Sequence, residues 1–81
     1  MDDNEASEFA IRYGTVTMQL ERLRNAKEPR QISNKVDALV HTIDTFTNCF
    51  RRFRFEARFP AIYQNLAQFV EEAFEVDRRV R

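Results

Sequence analysis

The chain has one glycine, Gly14, and only two prolines, Pro29 and Pro60, in 81 residues. Tight hairpins and phosphate-cradling loops both draw on glycine, so its scarcity disfavours a sheet and removes any nucleotide-binding loop. A single cysteine, Cys49, permits no internal disulfide, and a single histidine, His41, permits no histidine pair. The longest uncharged run, Phe59 to Val70, is 12 residues, against the roughly 20 that a membrane-spanning helix needs. The opening MDDNEASEF is acidic and carries neither the basic nor the apolar region of a signal peptide. These absences predict a reducing, soluble setting, most simply the cytoplasm, or the host cytoplasm for a viral protein. They predict no membrane association either.

Charge of one sign is also missing. Thirteen bases offset 13 acids, so no overall field draws the chain to nucleic acid or an acidic surface. The balance is local, however. Residues 1–11 hold four acids and no base, residues 12–58 hold ten bases and five acids, and residues 59–81 hold four acids and three bases.

What is present is patterned. Apolar residues make up 43% of the chain and include eight phenylalanines, and they recur at alternating spacings of three and four. The strings are Phe9, Tyr13, Val16, Leu20, Leu23, then Ile32, Val36, Leu39, Ile43, Phe46, Phe50, Phe53, Ala57, then Phe59, Ile62, Leu66, Phe69, Ala73, Val76, Val80. This spacing keeps one stripe of a helix against a neighbour, as in a coiled coil. It predicts an all-α single domain over residues 1–81, with three amphipathic helices at about 5–27, 31–58 and 60–79. Pro29 and Pro60 suit the first turn of a following helix and cannot continue the preceding one. Short connections make successive helices antiparallel neighbours, in a bundle or a long hairpin with a third helix.

A chain this short hides only about 60–65% of its unfolded surface, so a partner subunit adds needed burial. Apolar residues beyond the main strings supply a means. Tyr63, Ala67, Val70 and Phe74 form a second stripe on the third helix, and Ile11 and Met18 lie seven apart on the first. We expect these six to mediate homodimerisation. Phe55, Tyr63 and Phe74 are the expected anchors for another protein's helix or peptide.

The stretch CFRRFRFEARFP, residues 49–60, combines four phenylalanines with four arginines. In one continuous helix Phe50, Phe53 and Ala57 face the core, Phe55 lies outside, and Arg51, Arg54 and Arg58 flank the seam. Folding the first helix back about Pro29 sets Asp2, Asp3, Glu5 and Glu8 opposite residues 56, 55, 53 and 50. The acidic N-terminus and the arginines then fix register together, and cations complement the end of the helix dipole. The alternative is nucleic-acid binding through Arg51, Arg52, Arg54 and Arg58, with Arg51 and Arg58 about 10.5 Å apart along the helix. Arg22, Arg24, Lys27, Arg30 and Lys35 would extend that patch. In shape this design is similar to small viral helical dimers that bind double-stranded RNA, which is recognised mainly by form and backbone.

Catalytic sets are missing. His41 has Asp37 and Asp44 at helical spacing but no second histidine or cysteine pair, so a solvated surface group is expected rather than a metal site. Cys49, beside the seam, has no nearby histidine to act as a base. Glu71, Glu72, Glu75 and Asp77 read as a solvated face, followed by Arg78, Arg79 and Arg81 at the helix end. The sequence therefore predicts no enzyme, cofactor, metal or small-molecule substrate.

Overall fold

A computed structural model describes residues 2–80. The chain is all-helical: α1 (Asp3–Asn25), α2 (Pro29–Phe50), a 3-10 turn (Arg51–Phe53), a short α3 (Phe55–Arg58) and α4 (Pro60–Arg79). No strand occurs among the described residues.

Local sequence explains most boundaries. Asp2 caps α1 reciprocally with Glu5: the Glu5 N–H donates to Asp2 Oδ1 at 2.8 Å, and the Asp2 N–H donates to Glu5 Oε1 at 3.1 Å. Such a capping box satisfies two donors that the helix leaves open. Pro29 and Pro60 each occupy the first turn of a helix, as expected from their fixed φ. Gly14 lies mid-helix with nothing within 4 Å of where a Cβ would stand, so it serves no close helix approach.

α2 packs against both α1 and α4, while α1 meets α4 more sparsely. Phe9 of α1 lies beside Phe46 and Phe50, and Gln19 and Arg22 share a groove with Lys35 and Ala38, so α1 and α2 run in opposite directions. The buried core joins Val16, Leu20 and Leu23 to Ile32, Val36, Leu39 and Ile43, and to Leu66 and Ala73 of α4. At one end it becomes aromatic. The Phe9 ring lies 4.9 Å from Phe46, 5.0 Å from Phe50 and 6.0 Å from Phe55, centre to centre. Tilted and edge-on pairs of this kind add attraction beyond the buried area.

The second helix departs from expectation. It stops at Phe50 instead of running to 58, and Arg54 adopts a left-handed conformation at φ 54°, ψ 44°. The backbone re-pairs across the break: the Arg54 N–H donates to Arg51 O at 3.0 Å, and the Arg58 N–H to Arg54 O at 3.0 Å. Part of the helical pairing is thus kept across the break, and what the break gains is side-chain burial. The turn swings Phe55 from the outer face into the core, where it is fully buried against Phe9, Phe46 and Tyr63. Burying a phenylalanine contributes about 1.5–3 kcal/mol, and a non-glycine left-handed residue costs about 1–2 kcal/mol. The burial of this one ring is of the same order as the strain. In exchange Phe53 is only half-buried, and Ala57 and Phe59, both expected in the core strings, are exposed.

Candidate interaction surfaces

Five large apolar side chains remain exposed: Ile11, Met18, Phe59, Tyr63 and Phe74. Four of them are among the six residues expected to self-associate. Ala67 is exposed as well, and Val70 is half-buried. Tyr63, Ala67 and Val70 line one groove of about 170 Å³ with Leu66 and with Ile43 and Thr47 of α2. Phe74 continues the line one turn further along α4, 48% exposed.

Side-chain direction advances by about 100° per helical residue. Counted that way, the Tyr63–Phe74 stripe stands about a quarter turn from the buried Leu66–Ala73 line, on the flank facing α2. Ile11 and Met18 stand about half a turn from the buried Phe9–Val16–Leu20 line, on the far side of α1. Groove and register therefore unite the α4 residues, while the α1 pair points elsewhere. Phe55, the third expected anchor for a partner, is unavailable because it fills the core. Its spacing disguised this, since only the break at Arg54 turns it inward.

The four arginines of the opening stretch are all exposed. They do not form the continuous stripe that the sequence predicts: Arg51 and Arg52 sit in the 3-10 turn, Arg54 at the break and Arg58 at the end of α3. Arg52 pairs with Glu5 across 3.2 Å and lies 4.6 Å over the Phe53 ring. This matches the expected meeting of the acidic N-terminus with the arginine cluster, one position from the register drawn from Pro29. Arg51, Arg54 and Arg58 make no ion pair among the described residues.

A second cross-helix pair had no sequence signal, because its members stand 48 residues apart. Arg24 of α1 donates to both carboxylate oxygens of Glu72 on α4, at 2.7 and 2.9 Å. The hydrogen bond from Arg24 holds the Glu72 carboxyl below the ordinary value of 4.5 against the opposing effect of its partial burial. The acidic stretch of α4 is thus not one solvated face. Glu71 and Glu75 are exposed, Glu72 is tied to α1, and Asp77 is buried. Arg78 and Arg79 pair with Glu75 near the helix end, and Arg81 lies outside the described residues.

His41 is exposed in a groove between α1 and α2, with Arg12, Thr15, Thr42, Thr45 and Phe46. No group of three His, Cys, Asp or Glu side chains among the described residues is arranged to hold a metal ion. Cys49, expected beside the seam, is exposed near Glu5, Glu8, Arg12 and Arg52. Among the described residues no helix is long and apolar enough to cross a membrane. In comparisons with known proteins, no family model, no curated protein and no solved structure matches the chain.

Proposed function

We propose that this protein is a non-catalytic helical interaction module that self-associates as a homodimer and engages another protein through its remaining exposed faces. The observation that carries the reading is the α4 stripe. Tyr63 and Phe74, 47% and 48% exposed, flank Ala67 and Val70 beside an apolar groove. An aligned row of this kind on so small a chain is an interface in want of a partner. Ile11 and Met18, on the other side of the molecule, then serve the second protein rather than the dimer. A reducing compartment such as the cytoplasm suits the exposed Cys49.

Phe74→Ala is expected to loosen the dimer, with the mass by light scattering falling toward the monomer at tens of micromolar. Arg54→Ala should leave the mass unchanged. A Phe74→Ala variant with unaltered mass and stability removes the stripe from the interface.

A second reading rests on Arg51, Arg54 and Arg58, exposed cations at one end of the molecule with no carboxylate partner among the described residues. In this reading the dimer binds duplex nucleic acid, RNA foremost, through backbone phosphates. Fluorescence polarisation with labelled duplexes and single strands tests it. A submicromolar duplex signal that weakens about 10³-fold or more between roughly 50 and 200 mM salt supports it. No signal at low salt rejects it.

A further inference from the structure

We propose that residues 51–58 are a conformational hinge, joining the bent form described above to a straight form in which α2 runs unbroken to Arg58. Three features coincide there. A 3-10 turn, Arg51–Phe53, interrupts what the heptad spacing predicts as one helix, and such interruptions mark hinges or strain. Arg54 then holds a left-handed backbone at φ 54°, ψ 44° without being glycine, an outlier of the kind that gathers at switch regions. The segment RRFRFEAR also contains no glycine, proline or asparagine, and arginine, glutamate and alanine are all good helix formers. Local preference therefore opposes the bend, which packing imposes.

The two forms bury different rings. The bent form takes Phe55 fully into the core and leaves Phe53 half-buried, Ala57 exposed and Phe59 41% exposed. In the straight form Phe53 and Ala57 continue the buried line of Phe46 and Phe50 at the same alternating spacing, while Phe55 turns out. One phenylalanine replaces another inside and the left-handed residue disappears, so neither ring burial nor backbone separates the forms widely. What favours the bent form is the place of α4. Eight more helical residues lengthen α2 by about 12 Å, and α4, joined through Pro60, moves along it by a similar distance. That movement parts Glu72 from Arg24, which are held at 2.7 and 2.9 Å in the bent form. The bent form is thus the major one, and the straight form is populated at roughly the per cent level. Straightening also sets Arg51, Arg54 and Arg58 on one stripe, so the hinge decides whether these cations stand in line.

Nuclear magnetic resonance of the isotope-labelled chain tests this residue by residue. In the native protein, relaxation dispersion should reveal microsecond-to-millisecond exchange across residues 51–58, with helical carbon shifts in the minor form. Arg54→Gly, which favours the left-handed backbone, should reduce that exchange severalfold. Phe55→Glu should make the straight form the major one. A carboxylate is not buried among rings, and in a helix it stands between Arg51 and Arg58 at spacings of four and three. Its carbon shifts should then be helical without interruption from residue 29 to residue 58. Flat dispersion profiles in the native protein overturn the hinge. Exchange toward random-coil shifts overturns it too, since that is fraying rather than straightening. A Phe55→Glu chain that keeps the left-handed shift at Arg54, or unfolds, shows that no straight form is stable enough to take over and overturns it as well.

Discussion

Arg54 holds the left-handed turn that carries its neighbour Phe55 into the core. Left-handed backbone is usually announced by glycine or asparagine, and position 54 holds neither. With no breaker between Phe50 and Phe59, local sequence favours one unbroken helix, and heptad spacing supports that through Phe53 and Ala57. The tertiary demand is stronger: the aromatic end of the core, built by Phe9, Phe46 and Phe50, takes Phe55 as its fourth ring. A pattern-based reading assigns Phe55 to the outside because the turn that moves it leaves no mark on the sequence. Arg54→Gly, which removes the clash at φ 54°, should raise stability by about 0.5–1 kcal/mol in urea unfolding. A loss of stability in that variant would mean that residue 54 does not hold the left-handed conformation in solution.

At the scale of elements, α1 and α4 were legible because their signals are local. Pro60 opens α4 where the sequence places it, and the acidic start of α1 lies within two residues of its expected end. The reciprocal cap of Asp2 and Glu5 was legible in their spacing of three, and it gives these acids a local role beside their place opposite the arginines. The tie between α1 and α4 was not legible, because nothing local links Arg24 to Glu72. That tie has a pH signature. The folded Glu72 carboxyl titrates below its ordinary value of 4.5. Its stabilising contribution is therefore present above the ordinary carboxylate range and is lost as pH falls through the lowered value. The native protein should lose stability as the solution is acidified below about pH 4.5, and Glu72→Gln should lose less over the same interval. Parallel pH–stability curves for the two proteins would show that the pair carries no weight in solution.

For the whole molecule, composition spoke most plainly through the surplus of apolar side chains over a single buried seam. The candidate face on α4 was visible as a second stripe, and Tyr63 and Phe74 emerge on the surface as the spacing implied. Its separation from Ile11 and Met18 was not visible, since relating faces of different helices requires knowing how they pack. The same holds for the arginines, which the break at Arg54 disperses from a stripe into a cluster at one end. Within that cluster Arg52 pairs with Glu5, while Arg51, Arg54 and Arg58 make no ion pair among the described residues. The most direct test of the central claim is the mass of the unmodified chain by light scattering across a dilution series reaching tens of micromolar. Self-association through α4 predicts twice the 9.7 kDa chain mass at the upper concentrations, falling toward the single-chain value on dilution. The single-chain mass at every concentration would contradict it.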